Sequence, residues 1–246
     1  GIIDKWKSEN PGLVSRFGID FAVDRTSFSD VVHNSVRQML LSLKIDAAIR
    51  QGEQAIAEGR KPVFVVEHTN GSFVSDYMGR ENLTTAEGNN RAESFDFDVI
   101  LKKNLRRTSV IRVTTVDGEK IRFEVPAVLE HPEYKKVEAY ISRLNFGKLP
   151  ANPLDVIREH FAKKGLNVGE ISGRKERVIE HPDGGIQFVS RGRDELDRNA
   201  MIRGFNSGEI DGLVVNAAGA VGISLHASEK FSDQKPREMI ILQPNG

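Results

Sequence analysis

Cysteine is absent from this sequence of 246 residues. A disulfide framework and a thiolate metal site are therefore both excluded, which favours a cytoplasmic location. No apolar run approaches the roughly 18 residues that a membrane helix needs, and no basic-then-apolar leader indicates secretion. The sequence also lacks an excess of charge of either sign, because its 35 basic and 35 acidic residues cancel. Contact with nucleic acid would therefore depend on local basic patches rather than on a global field.

Complete catalytic motifs are also missing from the sequence. There is no G-x-x-x-x-G-K-[ST] phosphate loop, because Gly147-Lys148 is followed by Leu149 and lacks the upstream glycine. There is neither a G-x-S-x-G nucleophile elbow nor an H-E-x-x-H zinc motif. No two of the six histidines share a metal-ligand spacing, and no acidic pair ends an apolar strand. A self-contained enzyme is therefore not expected.

What the sequence does contain is an alternation of helical and strand-like segments. Its apolar fraction of 39% and charged fraction of 28% are ordinary for a globular protein. Four short apolar runs have the length of buried parallel strands. These runs are Val63–Val66, Val168–Ile171, Leu213–Val215 and Glu238–Leu242. Helix-then-strand units repeated in this way predict an α/β fold, with a parallel sheet covered by helices on both faces.

The helices are predicted from apolar residues spaced three and four positions apart. One helical pattern begins near Ser29, and a second covers Asp46–Glu58. A third helix follows Asn152, a suitable N-cap, with Pro153 at its first position. A further helix is predicted over Asp194–Phe205.

Residues 72–150 interrupt the alternation. Val110–Thr114 and Ile121–Val125 flank Asp117-Gly118, which predicts a β-hairpin with a tight turn. Further helices are predicted at about 94–105 and 133–146. We therefore expect an α+β insertion that contains this hairpin.

The domain boundaries follow from these patterns. Residues 1–35 are predicted to be an N-terminal segment or the tail of a preceding domain, with residues 1–27 irregular. The main domain is expected over residues 36–246, interrupted by the insertion. Because the sequence begins with Gly1 and stops just after a strand-like run, we expect both ends to be cuts through a longer protein.

Three loops follow predicted strands, and their composition suits phosphate groups. Their glycines expose backbone N–H groups, while small hydroxyl and amide side chains and an adjacent Arg-Lys pair supply further donors. Each loop alone also fits a solvated turn. Because the carboxyl ends of parallel strands meet at one edge of a sheet, however, we expect the loops to form one surface. They are Thr69-Asn70-Gly71, Ser172-Gly173-Arg174-Lys175 and Asn216–His226, with Arg177, Arg191 and Arg193 nearby in sequence.

Four stretches of the second half carry a recognisable pattern: Ile171-Ser172-Gly173-Arg174, Arg198–Phe205 with Gly208, Val214–Ala227, and Asp233–Arg237. They resemble the second RecA-like lobe of superfamily 2 helicases, in particular the Strawberry-notch type and its bacterial and phage relatives. Those proteins carry a similar T-G-R stretch, an F-x-x-G turn and an A-G-x-x-G-I-S-L-H segment followed by a basic linker with glutamine. The resemblance covers residues 38–246 and is specific around 196–242.

The resemblance implies a RecA-like three-layer α/β/α lobe with a mostly parallel sheet. It also implies an ATP-driven motor that moves on or remodels nucleic acid, with DNA favoured over RNA. Gly219, Gly222 and Ser224 match helicase motif V, which contacts the nucleic-acid backbone and senses the nucleotide. Together with the loop composition, the resemblance predicts nucleic-acid-binding residues at Thr69, Asn70, Gly71, Gly173, Arg174, Lys175 and Asn216.

Several family elements are missing from this sequence. The phosphate loop and the acidic metal-binding motif belong to the first lobe, and the Q-x-x-G-R-x-x-R element that supplies the arginine finger would follow Gly246. ATP and Mg²⁺ are therefore expected to be held mainly by the N-terminal RecA-like lobe of the same protein, with none bound by this chain alone. Because stabilising the transferred phosphoryl group needs all of these parts, this chain alone is expected to hydrolyse no ATP.

Two alternatives from other classes stay open. The first is a cofactor-binding α/β domain such as a methyltransferase or dehydrogenase, although no G-x-G-x-x-G opens a helix after the first strand. The second is a non-catalytic interaction module that uses the insertion as its docking surface.

Overall fold

The structure is a computed structural model, and it describes residues 5, 8–9, 11–12, 23–25, 28–93, 95, 97–114, 120–143, 150, 152–183 and 185–243. The chain forms two compact units. One combines Gly1–Arg37 with Phe97–Lys148, and the other combines Gln38–Asp96 with Leu149–Gly246. Among the described residues, no helix has both the length and the apolar character needed to cross a membrane.

Helices and strands alternate along the described part of the chain. In chain order they are β1 (Val23–Arg25), α1 (Phe28–Ala57), β2 (Lys61–Val66), α2 (Gly71–Arg80), β3 (Arg91–Ala92), α3 (Phe97–Arg107), β4 (Val110–Thr114), β5 (Lys120–Glu124), α4 (Pro126–Leu129), α5 (Pro132–Arg143), α6 (Pro153–Ala162), β6 (Val168–Ile171), β7 (Glu176–Glu180), β8 (Ile186–Ser190), α7 (Arg193–Leu196), α8 (Arg198–Ser207), β9 (Gly212–Asn216), α9 (Ala217–Ala220) and β10 (Arg237–Ile241).

A four-stranded sheet is the centre of the second unit, and its strand order is β10-β2-β9-β6. All three strand pairings are parallel. These strands correspond to the four apolar runs predicted from the sequence; β2, β9 and β6 are covered on both faces, whereas Met239 and Ile241 of the edge strand β10 are exposed. The predicted α/β fold with a mostly parallel sheet is confirmed, and it is consistent with a RecA-like lobe.

Helices cover both faces of this sheet. On one face, Leu41 of α1 and Phe161 of α6 pack in one cluster with Phe64 and Val214. On the other face, Phe205 of α8 packs with the strand residues next to Phe64 and Val214, such as Leu213. Since successive strand residues point to opposite faces, one strand supplies both layers of the core.

Two antiparallel sheets complete the described structure. In the second unit the order is β3-β8-β7, and β7 and β8 pair as an antiparallel hairpin. In the first unit the order is β1-β4-β5, and the β4–β5 pairing confirms the predicted hairpin. Its turn, Asp117-Gly118, lies outside the described residues.

The structure differs from the sequence prediction in the N-terminal half. Residues 1–27 were predicted to be irregular, but Val23–Arg25 forms β1 and pairs with β4. The two helices predicted from Ser29 and over Asp46–Glu58 are one helix, α1, because neither glycine nor proline stands between them. The insertion expected over residues 72–150 stays a prediction.

Two helix starts also differ from their predicted form. Asn152 precedes α6 as predicted, but its side chain does not cap the helix and donates instead to Asp155 and to the backbone of Val178. The helix predicted over Asp194–Phe205 is divided into α7 and α8. The extended backbone of Asp197 separates the two helices, and its carboxylate caps the second by accepting hydrogen bonds from the backbone N–H groups of Asn199 and Ala200.

Candidate nucleic-acid interface

The carboxyl ends of β2, β9 and β6 lie side by side. In the parallel register Val66 of β2 stands opposite Asn216 of β9, and Ile171 of β6 stands opposite Val215. The first loop (Thr69–Gly71), the second loop (Ser172–Lys175) and the third loop (Asn216–His226) therefore emerge at the same edge of the sheet. We call this edge the strand-end edge. Its existence was predicted from the sequence and is confirmed by the register.

The first loop rests on the second. A β-carbon on Gly71 would lie 3.0 Å from Cγ of Arg174 and 3.4 Å from Oγ1 of Thr69. Ser75, in the helix that follows the first loop, donates a hydrogen bond to Glu176 at 3.0 Å. Asn70 is buried in the left-handed conformation, with φ of 55°, directly before α2. The first loop is thus shaped by contact with the stem of Arg174.

The third loop lies against the end of β6. A β-carbon on Gly219 would lie 2.7 Å from the carbonyl oxygen of Ile171, so no larger residue fits without a shift. The backbone N–H of Gly219 donates to Oδ1 of Asn216 at 2.8 Å. The side chain of Asn216, predicted to bind nucleic acid, therefore holds the start of the third loop.

Further along the third loop, the chain turns at Gly222, and exposed side chains then alternate with partly buried ones. Gly222 has φ of +70°, which glycine adopts readily. Val221 and Ser224 are exposed, whereas Ile223 and Leu225 pack against the core cluster that contains Phe205. The apolar side chains thus anchor the loop to the core, while the side chain of Ser224 is exposed to solvent.

A buried cluster of charged side chains lies beneath the second loop. The guanidinium of Arg174 contacts both carboxylate oxygens of Asp155 at 2.6 Å and also pairs with Glu170 at 2.6 Å. Arg191 contacts Glu170 at 3.3 Å and donates to the carbonyl oxygen of Arg174 at 2.7 Å. The hydroxyl of Ser172 donates to Glu170 as well. The second loop is therefore fixed from below by side chains of α6, β6 and the segment after β8.

The charges of this cluster stabilise one another. Burial alone would raise the pKa of Glu170, but the guanidinium groups of Arg174 and Arg191 outweigh it and hold that pKa at about 2. Burial would lower the pKa of Arg174, whereas the carboxylates of Asp155 and Glu170 raise it. Burial lowers the pKa of Arg191. Glu170 is therefore ionised near neutral pH and is paired with the buried guanidinium groups of Arg174 and Arg191.

Arg174 does not have the position expected of a residue that touches nucleic acid. It is only 3% exposed, and Arg191, named above for its proximity in sequence, is equally buried. Both guanidinium groups are bound to Glu170 and its neighbours, so they are not presented to solvent. The local sequence does not suggest this burial, because the partner Asp155 lies on α6; contact between Arg174 and nucleic acid stays a prediction.

The predicted residues therefore divide into two groups. Asn70, Arg174 and Asn216 have buried or structurally engaged side chains. Gly173, Lys175, Gly222 and Ser224 are exposed at the strand-end edge, while Thr69, Gly71 and Gly219 are partly buried there. Their binding roles stay predictions.

Sequence reasoning missed the acidic half of the buried cluster. A signal was available, because Glu170 stands within a four-residue strand that is buried throughout, and a buried charge needs a partner. Arg198 and Asn206, which hold the third loop from α8, gave no comparable signal. Among the described residues, no group of His, Cys, Asp and Glu side chains is arranged to hold a metal ion.

Part of this chain is similar to a known protein family. Residues 152–245 match a helicase C-terminal family model described as the C-terminal domain on Strawberry notch homologue. The matched residues include β6, β9 and the second and third loops, but not β2 or the first loop. No solved structure matches the chain.

Individual relatives belong to the same family. Protein strawberry notch of Drosophila melanogaster is 28% identical over 152 residues, which is 58% of this chain and 9% of that protein. Protein strawberry notch homolog 2 of Homo sapiens is 31% identical over 123 residues, 48% of this chain and 9% of that protein. The chain thus spans less than a tenth of the length of these relatives. The matches support a Strawberry-notch-like helicase C-terminal domain in residues 152–245.

Proposed function

We propose that this chain is the C-terminal lobe of an ATP-dependent superfamily 2 helicase or translocase, and that its strand-end edge contacts the nucleic-acid backbone. One observation carries the proposal: three glycine-containing loops meet at the carboxyl edge of a parallel sheet, two of them inside the Strawberry-notch-like domain. Ligands of open α/β sheets bind at this edge. Phosphate groups suit it because Gly173, Gly222, Lys175 and Ser224 are exposed there and offer backbone N–H donors, a lysine and a hydroxyl.

The exposed groups have separate roles in this proposal. Lys175 supplies the positive charge of the second loop, since the charge of Arg174 is neutralised beneath it. The backbone around Gly173 and the hydroxyl of Ser224 supply neutral donors. The third loop, with Gly219 and Gly222, couples nucleic-acid contact to the nucleotide, as motif V does in the family that it resembles.

ATP and Mg²⁺ fit the proposal only as ligands held mainly by another lobe. The sequence has no phosphate loop, so the strand-end edge has no lysine of the P-loop kind. Its hydrogen-bond donors to a nucleotide would be loop backbone N–H groups and hydroxyls. When bound, ATP would supply the phosphoryl group whose transfer drives movement. This chain's own residues would orient nucleic acid and respond to closure with the N-terminal RecA-like lobe, and the chain alone would hydrolyse no ATP.

Finer assignments belong to the same proposal. We favour DNA over RNA as the substrate, a cytoplasmic location, and a bacterial or phage branch of the family. None of these follows from the names of the animal relatives. The branch would be tested by the genomic origin of the gene, and the substrate by direct competition between DNA and RNA of one sequence.

The function is tested by titrating the 246-residue chain with single- and double-stranded DNA over a range of salt concentrations. Affinity should fall steeply as salt rises, because binding to phosphates releases counterions. Lys175→Ala should weaken binding several-fold and reduce the logarithmic salt slope by about one.

The matched control is Lys163→Ala. Lys163 is an exposed lysine that follows α6, near the amino end of β6 and so at the opposite edge of the sheet. The Lys163→Ala variant should bind DNA with the affinity of the unmodified chain. Affinity that ignores both salt and Lys175→Ala would overturn the proposed edge, and ATP hydrolysis stimulated by nucleic acid in the purified chain would overturn the division of labour between lobes.

A further inference from the structure

Helix α8 holds the third loop at two backbone carbonyls. Nη2 of Arg198 donates to the carbonyl oxygen of Val221, and Nδ2 of Asn206 donates to the carbonyl oxygen of Ser224 at 3.2 Å. The two donors are eight positions apart, which is about two turns of the helix. Both therefore come from one rigid element, and they hold the loop at two separate points.

The two held carbonyls bracket the turn of the loop. Gly222 and Ile223 lie between them, and the positive φ of Gly222 reverses the chain there. Ile223 packs inward against a core that includes Phe205 of α8. Since the inward side chain and both carbonyls are tied to α8, the helix determines where the exposed hydroxyl of Ser224 is presented.

The buried side chain of Asn206 does not favour the stability of the folded chain. It is 2% exposed, and in the described part of the chain its Oδ1 is buried without a hydrogen-bond donor. A buried polar atom without a partner costs roughly 1–3 kcal/mol, so an apolar side chain of similar size would suit the core of this helix better. The bond to Ser224 gives a reason for an amide at this position that packing does not.

We infer that Arg198 and Asn206 are positioning residues that fix the third loop for nucleic-acid contact. The inference rests on the proposed function, and neither residue is among those predicted to touch nucleic acid. Removing either donor frees one carbonyl to bond with water, so the turn at Gly222 samples more conformations. The loop then orders on binding, which lowers affinity.

The first readout is amide hydrogen exchange of the free chain. Asn206→Leu and Arg198→Ala should speed exchange of the Ile223 amide, which donates to the carbonyl oxygen of Ala220, by about two- to tenfold, because loss of one hydrogen bond loosens the turn by about that factor. The melting temperature of Asn206→Leu should not fall, because an unpartnered polar atom is removed from the core. Arg198→Lys keeps a donor and should restore part of the protection.

Matched controls exist on the same helix. Asn199→Leu and Arg203→Ala change the same residue types at exposed positions of α8, and they should leave loop exchange unaltered. Unchanged exchange in both test variants would overturn the inference. An equal rise in the controls would overturn it as well, because the effect would then belong to the helix as a whole.

The second readout is DNA affinity of the same variants. Weaker binding by Asn206→Leu, at an unchanged melting temperature, supports a positioning role that a purely structural residue would not have. If the unmodified chain binds DNA and the variants bind it equally well, the inference fails while the proposed function stands. If the unmodified chain binds no nucleic acid, the proposed function fails, and the role assigned to α8 fails with it.

Discussion

Gly219 and Ile171 are in closer contact than any residue with a side chain would allow. A β-carbon on Gly219 would lie 2.7 Å from the carbonyl oxygen of Ile171 and the same distance from Oδ1 of Asn216. The third loop is therefore packed directly against the end of β6, the strand that leads into the second loop.

Gly219→Ala should destabilise the chain by about 1–3 kcal/mol, the usual effect of overpacking against groups that cannot withdraw easily. Urea unfolding measures the loss. Gly173→Ala is the matched control, because nothing lies within 4 Å of its β-carbon position, and it should leave stability nearly unchanged. Equal stability of the two variants would show that the contact at Gly219 is relaxed at no cost.

Glu170→Gln should lower the free energy of unfolding by about 3–5 kcal/mol, the range seen when one partner is removed from a buried ion pair. The substitution leaves the buried guanidinium groups of Arg174 and Arg191 with less negative charge around them. Chemical denaturation monitored by circular dichroism checks the value. Glu180→Gln, at an exposed position of β7, should change little, and a similar loss in both would argue against a special role for the cluster.

Stability should also fall in acid because of Glu170. Its pKa is about 2 in the folded chain and near 4.5 when unperturbed, so between these values the unfolded chain binds a proton that the folded chain does not. The free energy of unfolding therefore decreases as pH falls through this window, by about 1.4 kcal/mol per pH unit for this group. Urea titrations from pH 5 to about pH 2 measure the slope, and a flat profile would contradict the assigned pKa.

The parallel sheet could be predicted from the sequence because its strands are continuous apolar runs. Val63–Val66 and Leu213–Val215 need no knowledge of their neighbours to be identified, and both are strands in the structure. The shared edge followed from the rule for parallel sheets. These features depend on local composition, which one sequence displays directly.

The role of individual charges could not be predicted in the same way. Arg174 stands in a polar loop beside Lys175, and nothing local distinguishes the buried guanidinium from the exposed lysine. Its burial depends on Asp155, which is 19 positions away on α6. Helix boundaries were also predicted wrongly, as at α1, where two separate apolar patterns belong to one continuous helix.

The strand order β10-β2-β9-β6 has a consequence for how the chain folds. The strand of this sheet that is made first, β2, has as its two neighbours the strands made last, β9 and β10. Its apolar residues cannot be paired until nearly all of the described chain has been synthesised. Sheets built from such distant pairings form slowly, and until then an unpaired apolar strand is prone to aggregate. The arrangement that brings three loops to one edge therefore leaves β2 dependent on the last part of the chain for its pairing.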